Sequence, residues 1–127
     1  MNAAAEVEQA LATFLDAFNN LAWEPFCRCF ADDATVFFPG TPFPAERASG
    51  RAAVEAAFAP YFAELRATGD GPPYQRIAPR DLAIQVRGDT AVATFHLARE
   101  TGVGRRTFVL HRTPAGWQIV HLHASAR

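Results

Sequence analysis

The sequence predicts an α+β domain in which three N-terminal helices pack on a strongly curved, mainly antiparallel sheet. Three observations carry this prediction. The length of 127 residues fits one domain. Helical amphipathic patterns lie in the first half of the chain, and short strand patterns separated by glycine-bearing breaks lie in the second half. Helices followed by hairpin-linked strands are typical of α+β domains rather than of alternating α/β domains.

The helices are predicted from apolar residues that recur at three- and four-residue steps. The first helix covers residues 4–20 and the third covers residues 50–67. A short helix over residues 23–30 lies between them, with Pro25 suited to its first turn. Each helix therefore has one apolar face that a sheet can cover.

The strands are predicted from runs of β-branched and aromatic residues that end at turn residues. A first strand covers residues 35–38. Four further strands, joined as antiparallel hairpins by short breaks, cover residues 74–86, 90–99, 105–113 and 116–124. Strands that curve around the helices would leave a half-open cone, with a pocket between the first helix and the sheet.

Composition excludes several classes of protein. Half of the residues are hydrophobic, which is too many for a disordered chain, yet no apolar run approaches the ~20 residues of a membrane-spanning helix. The first ten residues include two glutamates and no basic residue, unlike a signal peptide. Cys27 and Cys29 lack the CxxC spacing of redox and zinc motifs. We therefore expect a cytoplasmic protein with reduced thiols, no membrane contact, no cofactor and no metal.

Charge is divided unevenly along the chain. Residues 1–70 hold ten acidic residues and four arginines, a balance of −6, whereas residues 71–127 hold three acidic residues and eight arginines, a balance of +5. The positive half would attract an anionic ligand, and arginines that simply decorate exposed strands explain the same distribution. Without a basic run or an RNA-binding motif, a nucleic-acid partner is not expected.

The order of the elements resembles the nuclear transport factor 2-like (NTF2-like) superfamily over nearly the whole chain. The segment HRTPAGWQIVHLHAS at residues 111–125 is similar to the closing hairpin of SnoaL-like proteins and of the calcium/calmodulin-dependent kinase II association (hub) domain. The segment DDATV at residues 32–36 is similar to ketosteroid isomerases and SnoaL-like cyclases. The resemblance implies a cystatin-like cone and a homodimer that pairs through the uncovered face of the sheet.

The functional residues of ketosteroid isomerases do not carry over to this chain. The resemblance places Phe14, Phe38 and Phe108 where those enzymes have a tyrosine, an aspartate base and a protonated aspartate. Isomerisation needs a proton acceptor and donors that hold the enolate, and phenyl rings supply neither. Isomerisation by the known route is therefore not expected.

The arginines that line the kinase hub pocket are also missing from the matching positions. Those positions hold His96, Phe108 and Ala124. Arg99 and Arg106 lie nearby and are candidates to replace one of the hub arginines. Carboxylate binding in the manner of the hub therefore stays open.

Three histidines are candidate site residues. His121 and His123 alternate on the last strand and share a face, and His96 lies on a neighbouring strand. Such a pair holds zinc only with further ligands, and a structural or a ligand-facing role fits the same pattern. The isomerase resemblance turns His121 inward, whereas the hub resemblance turns Ala124 inward. His96 and His121 are the candidate general bases, because imidazole titrates near neutral pH.

The pocket is expected to be apolar with one cationic group. Arg106 shares a strand face with Phe108, and an arginine in an apolar pocket binds carboxylates well. An Arg106 that reaches from its strand into water is the alternative. The expected ligand-binding residues are Phe14, Phe18, Phe38, Tyr61, His96, Arg106, Phe108, His121 and His123.

Two functions are consistent with these patterns. The first is a SnoaL-like protein that binds a small, anionic, hydrophobic molecule, with or without histidine-based isomerase, cyclase or dehydratase activity. The alternative is a non-catalytic oligomerisation or scaffold domain similar to the kinase hub. An open cone in which histidine and arginine converge favours the first function. A filled cone with a large apolar outer face favours the second.

Overall fold

The computed structural model describes residues 2–127 and confirms the α+β class. Three helices lie against one curved six-stranded sheet. The helices are α1 (Ala3–Asn19), α2 (Trp23–Arg28) and α3 (Arg51–Thr68). The strands are β1 (Phe30–Phe37), β2 (Ala48–Ser49), β3 (Arg80–Arg87), β4 (Thr90–Ala98), β5 (Val103–Thr113) and β6 (Gly116–Ala126). Within residues 2–127, no helix is long and apolar enough to cross a membrane.

The sheet has the strand order β2-β1-β6-β5-β4-β3. The three predicted hairpins, β3–β4, β4–β5 and β5–β6, are present and antiparallel. β1 pairs with β6 in parallel, so the sheet is mainly antiparallel, as predicted. The three helices cover the concave face, which we call the inner face, and leave the convex outer face uncovered.

The predicted strand over residues 74–86 is wrong in its first part, because β3 begins only at Arg80. The preceding segment is bound instead to Asn19, the last residue of α1. The Tyr74 N–H donates to the Asn19 carbonyl (2.8 Å), and the Asn19 side chain exchanges hydrogen bonds of 2.9 and 3.0 Å with the Ile77 backbone. The helix end therefore satisfies backbone groups that the prediction assigned to a strand.

Aromatic rings fill the narrow end of the cone. Phe26 on α2 is fully buried, and its ring lies between rings from all three helices and β1. These rings, at centroid distances of 4.8 to 6.1 Å, belong to Phe14, Phe18, Trp23, Phe30, Phe58 and Phe62. Such pairs contribute about 0.5–1.5 kcal/mol each beyond the burial of their area. Phe26 therefore joins the helical layer to the sheet.

Phe26→Ala should lower the free energy of unfolding by about 3–5 kcal/mol, because it removes a buried ring and leaves a cavity where the layers meet. Urea denaturation followed by circular dichroism measures the loss. Leu65→Ala is a control on the apolar side of α3, where the side chain is only partly buried, and it should cost clearly less. Equal losses in the two variants would contradict a central role for Phe26.

Candidate functional site

A cavity of about 290 Å³ opens at the wide end of the cone, between α1, α3 and the inner face of the sheet. Its wall is mainly aromatic and aliphatic. The sheet contributes Val36, Phe95, Phe108, Leu122 and Ala124, and the helices contribute Phe14, Leu15, Phe18, Phe58 and Tyr61. The volume lies near the lower end of small-molecule sites, roughly 300–1,000 Å³. Side chains therefore fill one end of the cone and leave the other open.

The loop between β1 and β2 completes the cavity wall. Phe38 stacks on Phe43, with ring centroids 4.6 Å apart and ring planes inclined by 7°. Phe43 also packs on Tyr61 of α3, at 4.9 Å between centroids. Residues 39–42 line the cavity beside this pair. Prolines restrict the backbone of the loop, so the stacked rings form a defined part of the wall.

Arg106 enters the cavity from the inner face of β5. Its neighbours across the sheet are Phe95 on β4 and Ala124 on β6, and both line the cavity. The Nη1 group donates to the carbonyls of Arg105 (3.0 Å) and Ser125 (3.2 Å). These bonds position the guanidinium and leave its Nε and Nη2 donors for a ligand.

Arg99, directly after β4, is the second cation of the cavity. Gly104 lies beside both side chains: a Cβ atom there would stand at the ordinary contact distances of 3.5 Å from Arg99 Cδ and 3.6 Å from Arg106 Nη1. Within residues 2–127 neither arginine has a carboxylate oxygen within 4.0 Å. Burial lowers the pKa of Arg106, and the nearby Arg99 lowers it further. Two positive charges thus face an apolar cavity without an acidic partner.

Tyr61 is a neutral polar group in the same wall. Its hydroxyl donates to Gln75 Oε1 (2.8 Å), and Gln75 Nε2 donates to the Phe18 carbonyl (3.0 Å). Burial raises the pKa of Tyr61, and Arg106 lowers it in part. The phenol is therefore protonated at neutral pH, and its position is fixed by a short chain of hydrogen bonds.

His96 lies outside the cavity, so the expectation that it serves as a base there is wrong. The inner face of β4 is formed by the alternate residues Phe95 and Leu97, which are buried. His96 therefore projects from the outer face, where its Nδ1 lies 3.7 Å from Asp81 Oδ2. Both faces of β4 carry strand-forming residues, and their alternation does not reveal which face is covered.

His121 and His123 also project from the outer face, against the expectation that they line the pocket. The pairing of β6 with β5 shifts between Ile119 and His121, leaving one extra residue in β6. After this bulge, Leu122 and Ala124 face the cavity. The hub resemblance, which turns Ala124 inward, is therefore correct for this strand, and the isomerase resemblance is wrong.

The two outer histidines form a cluster with an exposed ring. His121 Nδ1 lies 2.7 Å from Thr35 Oγ1, and Phe37 packs against His121 and His123 at 5.8 and 5.3 Å between centroids. Burial lowers the pKa of His121, His123 and Arg47 lower it further, and a hydrogen bond with the Thr35 backbone raises it. The described residues, 2–127, contain no group of three His, Cys, Asp or Glu side chains arranged to hold a metal ion.

The structure thus brings together six of the nine expected ligand-binding residues. The cavity wall includes Phe14, Phe18, Phe38, Tyr61, Arg106 and Phe108, and the three histidines lie elsewhere. The expected set lacks Phe43, Phe95 and Arg99. Phe43 lies in a loop without periodicity, and Phe95 lies on the strand face opposite to His96, which was expected to line the pocket.

Solved structures identify the class of this fold. An NTF2-like protein of unknown function from Pseudomonas putida KT2440 matches with a TM-score of 0.78 and 22% identity, over 98% of this chain and 87% of that one. An NTF2-like protein with a cystatin-like fold from Novosphingobium aromaticivorans matches with a TM-score of 0.66 and 24% identity, over 96% and 80%. The CaMKII hub of S. rosetta matches with a TM-score of 0.76 and 22% identity, over 100% and 98%. The chain has the NTF2-like, cystatin-like fold.

The chain belongs to the SnoaL-like domain family, whose model matches residues 7–127. The family and the likeness to a hub domain confirm the resemblances found in the sequence. No curated protein matches the chain. Since the structural matches have low identity, they establish the fold and leave the chemistry to be argued from the site.

His121 should make the stability of the protein depend on pH. Its pKa in the fold is below that of an unfolded histidine, about 6.5, so the unfolded chain binds the proton first as pH falls. The stability that neutral His121 contributes is fully present above the pKa of histidine in the unfolded chain. It is lost as pH falls through the lower pKa of His121 in the folded protein. Between about pH 7.5 and about pH 5, the Tm of His121→Gln should therefore fall less than that of wild type.

The measurement is thermal unfolding of both proteins across this range. His111→Gln is the matched control, since His111 is an exposed histidine on the outer face of β5, and its Tm should fall as in wild type. If the Tm of wild type and the Tm of His121→Gln decrease by the same amount, the lowered pKa of His121 is contradicted.

Proposed function

We propose that the cavity binds a small apolar carboxylate, with the carboxylate group held by Arg106 and Arg99. One observation supports this most directly: two guanidinium groups face an apolar cavity to which residues 2–127 contribute no carboxylate. The planar fork of arginine matches a carboxylate through two parallel hydrogen bonds. A bound anion would also offset the mutual repulsion of the two arginines.

The aromatic wall favours an apolar body for the ligand. Phe95 and Phe108 stack with their centroids 5.7 Å apart, and Phe14 meets the Phe108 ring edge-on at 5.3 Å. These rings present flat apolar surface beside the arginines. The volume of about 290 Å³ suits one aromatic ring or a short aliphatic chain.

The geometry supports binding rather than histidine-based chemistry. Among the cavity-lining residues of the described chain there is no imidazole and no carboxylate. Phe14, Phe38 and Phe108, at the positions of the isomerase catalytic groups, all lie in the wall. Tyr61 and the arginines donate hydrogen bonds but do not accept a proton at neutral pH. The isomerase, cyclase or dehydratase hypothesis therefore loses the base on which it depended.

Phenylacetate is a suitable probe for this proposal, and Arg106→Gln should weaken its binding about tenfold or more. A hydrogen bond to a charged group contributes about 1.5–3 kcal/mol, and about 1.4 kcal/mol corresponds to a factor of ten in affinity. Isothermal titration calorimetry measures both proteins. Phenylacetamide has nearly the same shape without the charge, so it should bind wild type more weakly and respond little to the substitution.

Arg76→Gln is the matched control for this experiment. It removes the same charge from an exposed position outside the cavity, and it should leave the affinity unchanged. Arg99→Gln should have a smaller effect than Arg106→Gln, because Arg99 is exposed and its charge is better screened. An unchanged affinity in Arg106→Gln would remove that residue from the site. No binding at millimolar phenylacetate would favour the scaffold function.

As a second function, we propose that the chain is an oligomerisation domain that forms a homodimer through the outer face of the sheet. An uncharged patch on this face supports the proposal. Two adjacent rows of this face contain neither arginine nor acidic residues: Ala83, Thr94, Thr107, His123 and Phe37, and then Gln85, Val92, Val109, His121 and Thr35. Phe37 is the exposed large hydrophobic residue of the described chain, at 37%. The centres of protein interfaces are depleted in charged residues in the same way. The patch therefore suits a second copy of the chain.

Sedimentation at micromolar concentration should give about twice the 13.8 kDa mass of the chain. Val109→Glu should shift the protein to the monomer, because the dimer would bury two like charges at its centre. Ala63→Glu adds the same charge at an exposed position of α3, and it should leave the mass unchanged. A wild-type mass near that of one chain would contradict the dimer.

A further inference from the structure

We propose that the outer face of the sheet carries a second anion site, a basic corner that binds the phosphate group of a soluble phosphomonoester. The basic corner consists of Arg80, His96, Arg105 and Arg127, which together with Val103 line a shallow depression. It is separate from the cavity, because the inner face lies on the other side of the same strands. It borders the uncharged patch and shares no residue with it.

Strand pairing brings these basic side chains together. Arg80 pairs with His96, and His96 pairs with Arg105, so the three form one row across β3, β4 and β5. Directly opposite residues of neighbouring strands have Cβ atoms about 4.5–5.5 Å apart. Arg127 lies beside this row, since its backbone exchanges hydrogen bonds of 2.7 and 2.9 Å with Val103. The sheet itself therefore concentrates positive charge at this corner.

The three arginines of the basic corner keep their positive charge without an ion pair in the described part of the chain. Within residues 2–127, none of its three arginines has a carboxylate oxygen within 4.0 Å. The nearby acidic residue, Asp81, faces His96 instead. The described fold gains no ion pair from these arginines, so ion pairing within the protein does not account for their arrangement. A bound anion would turn the repulsion between the arginines into attraction for the ligand.

A backbone irregularity directs Asp81 towards His96. Asp81 adopts a φ of 56°, in the left-handed region that residues other than glycine seldom occupy. The pairing of β3 with β4 shifts at the same point, between Arg80 and Ala83. Bulges of this kind turn a side chain away from the regular alternation of a strand. With Asp81 beside Nδ1, the His96 Nε2 atom is the ring nitrogen available to a ligand.

The chemistry of the corner fits phosphate better than carboxylate. Three guanidinium groups offer more donors than the two oxygens of a carboxylate accept, whereas a phosphomonoester presents three terminal oxygens and nearly two negative charges. Val103 is the one apolar residue lining the depression, so the site offers little surface to an apolar body. The phosphate group would be held while the rest of the molecule stays in water.

Nuclear magnetic resonance of the uniformly ¹⁵N-labelled protein tests this site residue by residue. Glycerol 3-phosphate should shift the amide signals around the basic corner in a saturable manner and leave those of the cavity unchanged. Arg80→Gln and Arg105→Gln should each weaken its affinity by about fivefold or more, as expected for the loss of a partly screened charged contact. Inorganic phosphate should bind at the same place, and acetate should bind much more weakly.

Two control variants distinguish binding at the basic corner from non-specific charge attraction and from binding in the cavity. Arg87→Gln removes an equal charge from β3 outside the corner, and it should change the affinity less than about twofold. Arg106→Gln should leave glycerol 3-phosphate binding unchanged while it weakens phenylacetate. An equal effect of Arg87→Gln and Arg105→Gln would overturn the site in favour of non-specific attraction. Acetate binding as tight as phosphate, or no shifts at the corner, would also overturn it.

Discussion

The packing of aromatic rings around Phe26 is the constraint on which the rest of the structure depends. α2 has only six residues, which is too few for a stable helix in water, so the burial of its phenylalanine holds it in place. Phe14, Phe18 and Phe58 belong both to the core and to the cavity wall. The packing of the core therefore also sets the shape of the cavity.

The two faces of the sheet divide the positive charge of the C-terminal half between different environments. Consecutive strand residues point to opposite faces, so Arg105 and Arg106 are neighbours in sequence but serve different surfaces. Arg106 enters a cavity with a mainly apolar wall, where one contact with an anion would have a large effect on affinity. Arg105 lies on the outer face, where affinity requires several charges together. Under the two proposals, this dipeptide would contribute to two sites of different chemistry.

The sequence predicted the helices and hairpins well because their periodicity and turn residues are local signals. The inward positions of Phe14 and Phe18 followed from the stripe of α1. The faces of β4 and β6 were not predictable in the same way. Residues that favour strands occupy both faces of β4, and the orientation of His121 depends on a bulge at Val120, which is an ordinary strand residue. The cavity wall was therefore predicted on α1, α3 and β5, where Arg106 and Phe108 face inward as expected, and missed on β4 and β6.

The position of β6 affects when the sheet can fold during protein synthesis. β6 is the last strand in sequence but lies between β1 and β5, and the contact between Thr35 and His121 spans 86 residues. During synthesis, α1, α2 and β1 leave the ribosome before the strand that completes their sheet exists. Native structure with so many distant contacts forms late and slowly. The nascent chain therefore carries exposed phenylalanine faces that are prone to aggregation until β6 has been made.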